Sequence, residues 1–163
     1  MSQSLFPLLS SIATPTIAAV LGYFFVLWKY KKEKMWQEKY NAYREILGAI
    51  HNMKHWADDT YSSCLCLPTI GVAGEEEFHR GYAEARRCVS KYIDIGKLVI
   101  SDEVAEKLSE MNGLLWEESF RFEDTGMDDN NYSDELSRHA ENVKKIIDGR
   151  LEEIITLSKK DLK

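Results

Sequence analysis

The sequence begins with a long block of uncharged, mostly apolar positions. Residues 5–28 are 24 consecutive positions without Asp, Glu, Lys or Arg, and no charged residue precedes them. As an α-helix this block would reach roughly 36 Å, enough to cross a hydrocarbon layer of about 30 Å. It lacks a basic n-region and is followed by lysines rather than by a small-residue cleavage site. We therefore predict a transmembrane segment over residues 1–28, not a cleaved signal peptide.

Basic residues follow the uncharged block directly, and none precedes it. This bias predicts an external N-terminus and a cytoplasmic domain over residues 29–163. Trp28 stands where an aromatic belt is expected at the cytoplasmic interface. The basic residues, which we call the lysine collar, are Lys29, Lys31, Lys32 and Lys34.

Small or hydroxyl-bearing residues recur at spacings of three and four within the predicted span. Such spacing places them on one helix face, where small side chains let membrane helices approach closely. The face favours self-association or the lining of a polar path, although small residues also occur by chance in a plain anchor. The members of this small face are Ser11, Thr14, Ala18 and Gly22.

Apolar positions after the collar follow helical rather than alternating spacing. They predict a stalk helix over residues 29–56, continuous with the span, and bundle helices over 75–96, 101–122 and 133–160. Ser101 and Ser133 are the predicted N-caps of the last two. No strand pattern occurs, so we predict an all-α fold: one transmembrane helix that continues into a cytosolic bundle of about four helices.

The net charge of −6 conceals regions of opposite charge along the chain. Residues 101–135 hold 12 acidic and 2 basic residues, whereas residues 78–100 hold 5 basic and 2 acidic ones. The basic residues of the second helix suit contacts with phosphate, and its tyrosines, Tyr82 and Tyr92, suit contacts with bases. They would equally form a solvated face or pair with the acidic third helix. The candidate ligand-binding residues are Arg80, Arg86, Arg87, Lys91 and Tyr82.

Motifs of catalysis are missing from the sequence. It has no P-loop, dinucleotide fingerprint, nucleophile elbow or HExxH motif, so we predict no enzyme, no cofactor and no catalytic residue. His51 and His55, with Cys64 and Cys66, are too weak a pattern to predict a metal site. The three cysteines cannot all pair, so they are interpreted as reduced thiols.

This layout resembles the single-span transmembrane effectors of bacterial antiphage defence systems, of which the Hailong-type effectors, controlled by DNA oligomers, are one example. The resemblance rests on the span over 5–28, its small face, the stalk over 29–56 and the basic strip between Arg80 and Lys91. It implies a homo-oligomeric membrane effector, channel or pore-like, at the inner (cell) membrane of a bacterium. Its cytosolic domain would sense a nucleotide or single-stranded oligonucleotide. The alternative hypothesis is a non-enzymatic, membrane-anchored adaptor that recruits protein partners.

Overall fold

The chain folds into α-helices. The computed structural model describes the backbone of residues 5–65, 75–125 and 131–163, and the side chains of these residues except 5–19, 75–79 and 97. Over the described backbone there are four helices, one short 3-10 turn and no strand, which confirms the predicted all-α class. The helices are α1 (Leu5–Cys64), α2 (Glu75–Asp94), α3 (Asp102–Thr125) and α4 (Tyr132–Asp161), and the 3-10 turn is Gly96–Leu98.

The chain divides into two compact units, Met1–Glu38 and Lys39–Lys163. In the first unit, every side chain that the structure describes is exposed. Lys29 pairs with Glu33 at 3.8 Å, and the Lys32 ammonium lies 5.4 Å from the centre of the Trp28 ring. The side chains of residues 5–19, most of the predicted span, lie outside the described part. Over the residues that were described, no helix combines the length and apolar character needed to cross a membrane.

The second unit holds the hydrophobic core, to which all four helices contribute. The apolar stripe of α3, formed by Val104, Leu108, Met111 and Leu115, is wholly buried, and α3 packs against both α4 and α2. The part of α1 within this unit supplies a third apolar face, and α2 supplies a fourth. The fully buried large side chains are Ile46, Ile50, Met53, Val89, Val104, Leu108, Met111, Leu115, Val143, Ile147 and Ile154.

Helix α1 extends to Cys64, eight residues beyond the predicted end at Trp56. Ala57 and Thr60 continue its buried stripe past that point, so core packing supports the extra turns. At the other end of the predicted stalk, helical spacing places Trp36 and Tyr40 on the same apolar stripe as Tyr43. That part of the prediction was wrong, because Tyr43 is buried but Trp36 and Tyr40 are exposed.

The helix caps were predicted correctly in one of two cases. Ser101 caps α3, because its hydroxyl accepts a hydrogen bond from the Val104 N–H at 3.4 Å. The prediction for Ser133 was wrong, because this residue lies inside α4, whose N-cap is Asn131. The Asn131 side chain makes no capping hydrogen bond, so the helix begins without the side-chain device that the sequence suggested.

A polar cluster, here called the Asp161 junction, ties the end of α4 to α1 and α3. The Asp161 carboxylate accepts hydrogen bonds from the Tyr43 hydroxyl, from Lys39 Nζ at 3.0 Å and from the Ser101 N–H at 3.1 Å. Burial, together with the hydrogen bond to Asp161, raises the pKa of Tyr43 to about 12. The junction therefore joins three helices through one satisfied carboxylate.

Candidate anion-binding groove on α2 and α3

A groove of about 430 Å³ runs along the exposed side of α2 and is bordered by one residue of α3. Its α2 residues are spaced by three or four along the helix, which places their side chains on one face. Three cations and one carboxylate are among them, so the groove is locally positive in a chain of net charge −6. The lining residues are Ala83, Arg86, Arg87, Ser90, Lys91, Asp94 and Trp116.

Arg86 is held in place at the α3 edge of the groove. Its Nη1 donates a hydrogen bond to Ser119 Oγ at 3.0 Å, and that hydroxyl donates in turn to the Leu115 carbonyl at 2.8 Å. The guanidinium carbon lies 4.9 Å from the centre of the Trp116 ring, a cation–π distance. Trp116 is 62% exposed, so an indole face next to a fixed cation is open to solvent.

The other two cations of the groove are less constrained. Arg87 is exposed and belongs to no ion pair among the described residues. Lys91 approaches Glu45 of α1 at 4.0 Å, at the limit of an ion pair, and both side chains are more than half exposed. A surface pair of this kind contributes little to stability, so a competing anion would displace it at low cost.

The candidates predicted from the sequence do not all meet in this groove. Arg86, Arg87 and Lys91 do line it. Arg80 is exposed on the same helix but is not part of the lining. Tyr82 packs inward, its ring 4.2 Å from that of Trp56 and tilted by 31°. The groove thus contains three of the five candidates.

The Tyr82 hydroxyl is buried and makes no hydrogen bond of ordinary geometry. Burial raises the pKa of Tyr82, while the charge of Arg86 and the nearby Ser119 hydroxyl oppose that rise. Tyr82 therefore joins the groove to the core through Trp56 and offers no exposed ring to a ligand.

Sequence reasoning missed Trp116 and Ser119. A signal was present for Trp116, because it stands one position after Leu115 and so off the buried stripe of α3. A large aromatic residue on the polar face of an amphipathic helix is a candidate for binding. The position of Ser119 opposite Arg86 depends on the packing of α2 against α3, which the sequence pattern does not reveal.

Behind the groove, a buried acid and a buried histidine interact. His139 Nδ1 lies 3.1 Å from Glu118 Oε1, and Arg121 Nη2 donates to the same oxygen at 2.6 Å. Burial opposes ionisation of Glu118, but hydrogen bonds from Arg121, His139 and Asn142 outweigh it and lower the pKa of this carboxyl. Burial lowers the pKa of His139, against the opposing effect of Glu118. His139 is therefore neutral near pH 7 and donates its Nδ1 proton to an ionised Glu118.

Only one residue of the predicted small face, Gly22, lies among the residues whose side chains the structure describes. Ser11, Thr14 and Ala18 belong to residues 5–19, whose side chains lie outside the described part. Gly22 is exposed, and the space where a Cβ would stand is open for 4 Å.

The weak metal pattern does not assemble in the part of the chain that can be described. His51 and His55 have ring centres 6.4 Å apart, and His55 Nδ1 pairs with Asp59 at 2.9 Å. Cys66 lies outside the described residues. Among those that are described, no three His, Cys, Asp or Glu side chains are grouped as metal ligands would be.

Comparison with known proteins adds no relative. No protein-family model, no curated protein and no solved structure matches this chain.

Proposed function

We propose that this protein is an oligomeric membrane effector whose helical unit, residues 39–163, binds a nucleotide or oligonucleotide in the α2–α3 groove. The observation that carries the proposal is the groove itself, which is lined by Arg86, Arg87, Lys91 and an exposed Trp116. Phosphate groups suit arginine and lysine donors, and a base suits an open indole face. No step of this function requires catalysis by the protein.

The distribution of ion pairs supports an anionic ligand. The acidic residues of α3 pair mainly with cations of α3 and α4, through Lys160–Glu103, Arg150–Glu110, Lys107–Glu110 and Arg121–Glu118. Among the described residues, no ion pair joins a cation of α2 to an acid of α3. The acidic helix therefore leaves the groove cations available, and the interpretation of the basic strip as its partner loses its support.

Membrane anchoring is supported by the first unit. Large apolar side chains at successive positions, and so around the whole circumference of the helix, are exposed to a similar degree, including Leu21 at 64%, Phe24 at 63% and Phe25 at 64%. A helix that is apolar all round needs a lipid or protein environment. We propose that residues 5–28 span the membrane. Because the lysine collar follows this segment, the N-terminus would lie outside.

The coupling between ligand and membrane is proposed to run through α1. Its assigned range, Leu5–Cys64, includes both the predicted span and the stalk residues that pack in the core. In an oligomer, the small face of Ser11, Thr14, Ala18 and Gly22 would pack against other copies or line the path. Ligand binding would then shift the population between closed and conducting arrangements.

Binding is tested with a fluorescein-labelled single-stranded oligodeoxynucleotide and with labelled nucleotides, by fluorescence anisotropy on the full chain. We expect Arg87→Glu/Lys91→Glu to abolish binding, and Trp116→Ala to weaken it by about 1–3 kcal/mol for one stacked base. The matched control is Arg80→Glu/Lys145→Glu, which makes the same charge change outside the groove. Unchanged binding in the groove variant would refute the ligand assignment.

Anchoring is tested by flotation with vesicles after an alkaline wash. Ile17→Lys/Val20→Lys should release the protein, because both lysines would stand near the centre of residues 5–28, where each costs about 2.5–3.5 kcal/mol. Met35→Lys/Tyr40→Lys replaces exposed residues beyond the predicted span and should leave the protein membrane-bound. Release by both pairs would contradict a span that ends at Trp28.

The adaptor hypothesis is favoured by one observation. Trp116 and Phe120 stand one helical turn apart on α3, exposed by 62% and 70%, as residues that bind a protein partner often are. Replacement of residues 5–28 by an unrelated span separates the two functions. An adaptor would keep its cellular activity, whereas an effector would lose ligand-dependent ion flux in reconstituted vesicles.

A further inference from the structure

A second cleft lies in the helical unit, between α1 and the last turns of α4. It has a volume of about 260 Å³, and none of its residues belongs to the α2–α3 groove. Most of its wall is apolar: Leu47, Ile155 and Leu162 contribute aliphatic surface, and Tyr40 and Tyr43 contribute rings. Arg44, Ser158 and Lys159 complete the lining.

Two hydroxyl groups of the cleft residues are already hydrogen-bonded within the fold. Tyr43 donates its hydroxyl proton to Asp161, and Ser158 donates to the Ile154 carbonyl at 2.7 Å. A hydrocarbon chain placed in the cleft would not break these bonds. A hydrocarbon chain can therefore displace water from the cleft without leaving either hydroxyl unpaired.

The charged residues of the cleft are both cations. Arg44 and Lys159 are exposed, and neither belongs to any ion pair among the described residues. Neighbouring cations differ in this respect, since Lys39 pairs with Asp161 at 3.0 Å and Lys160 with Glu103 at 3.1 Å. An apolar cleft with two uncompensated positive charges is complementary to an amphiphile with an anionic head.

We infer that this cleft binds a single-chain anionic amphiphile of the fatty-carboxylate class, with the chain along Leu47 and Ile155 and the carboxylate at Arg44 and Lys159. Its volume favours one chain: pockets for drug-sized ligands measure about 300–1,000 Å³, and 260 Å³ is below that range. A phospholipid with two chains would leave one chain outside. The inference does not depend on the proposed nucleotide site.

The test uses a decanoate with a photoreactive diazirine at its chain end, added to the full chain in phosphatidylcholine nanodiscs. Crosslinks mapped by mass spectrometry should fall on Leu47, Ile155 or Leu162 and be displaced by excess decanoate. Arg44→Glu/Lys159→Glu should lower the yield about tenfold, as expected when a charge-assisted hydrogen bond is lost. Arg80→Glu/Lys145→Glu makes the same change of charge away from both the cleft and the groove and should leave the yield unchanged.

Two further probes keep the inference open to refutation. Photoreactive decanol should label the cleft weakly and show no response to Arg44→Glu/Lys159→Glu. Ile155→Trp, which fills the cleft without changing charge, should remove labelling while the far-ultraviolet circular dichroism stays helical. Equal labelling by decanol, by photoreactive phosphatidic acid, or by decanoate in the Arg44→Glu/Lys159→Glu variant would overturn the assignment.

Discussion

At the residue scale, the buried carboxylate of Glu118 links α3 to α4. Glu118 is 8% exposed and accepts hydrogen bonds from Arg121, His139 and Asn142. The ring of Phe122 stacks on His139 at 4.6 Å, and that of Trp56 meets it edge-on at 5.8 Å. This arrangement keeps the imidazole neutral and uses its proton to satisfy a buried anion.

We expect the protein to lose stability as the pH falls below about 6.5. The unfolded chain binds a proton on His139 near that pH, whereas burial lowers the pKa of the folded group, so unfolding takes up a proton. The lowered pKa of Glu118 adds a further loss below about 4.5. Urea denaturation at pH 7.5 and 5.5 measures the first effect. His139→Gln should flatten this dependence and His51→Gln, at an exposed site, should preserve it; equal slopes in both variants would contradict the assignment.

Two tyrosines offer a matched comparison of hydrogen bonds to carboxylates. Tyr43 donates to Asp161, whose side chain is 18% exposed, and Tyr92 donates at 2.6 Å to Glu45, whose side chain is 57% exposed. Tyr43→Phe should lower the free energy of unfolding by about 1–3 kcal/mol, because a part-buried acceptor loses a partner. Tyr92→Phe should cost less, since water can replace the lost donor. A larger loss for Tyr92→Phe in chemical denaturation would contradict this account.

At the scale of elements, apolar spacing predicted where the helices lie along the chain, but it did not predict which side chains of different helices contact each other. Val104, Leu108, Met111 and Leu115 repeat every three or four residues, and all four are buried. The contact of Glu118 with His139 joins positions 21 residues apart, and that of Arg86 with Ser119 joins positions 33 apart. Such contacts depend on how helices pack, which hydrophobic periodicity leaves open. Three groove cations were therefore predicted from the sequence. The exposure of Trp116 could also have been inferred, but its position beside Arg86 could not.

The buried stripe of α3 should contribute strongly to the stability of the helical unit. Leu108 is fully buried, and Leu114, on another face of the same helix, is 36% exposed. Leu108→Ala should lower the free energy of unfolding by about 2–5 kcal/mol through lost burial and a residual cavity. Leu114→Ala should cost clearly less, and thermal or urea unfolding measures both. Similar costs would mean that α3 does not pack through the stripe that the structure shows.

At the scale of the whole molecule, a net charge of −6 opposes a polyanionic ligand, so attraction has to be local. At physiological ionic strength the screening length is about 8 Å. The electric fields of the groove cations and of the acidic regions therefore act only over short distances. The same screening would allow a chain with 27 acidic residues to bind phosphate in the proposed groove. Binding in the groove should therefore depend on few charges, and its response to salt should reveal how many.

The salt dependence of oligonucleotide binding gives that number. The groove holds three cations, Arg86, Arg87 and Lys91. With a slope of about −0.7 for each phosphate neutralised on a single strand, the logarithm of the association constant should fall with the logarithm of salt concentration with a slope near −2. Arg87→Gln should reduce that slope by about 0.7, and Arg80→Gln should leave it unchanged. A slope of about −4 or steeper in the wild-type chain would place phosphates on cations outside the groove, with Arg80 and the lysine collar the first to examine by charge reversal.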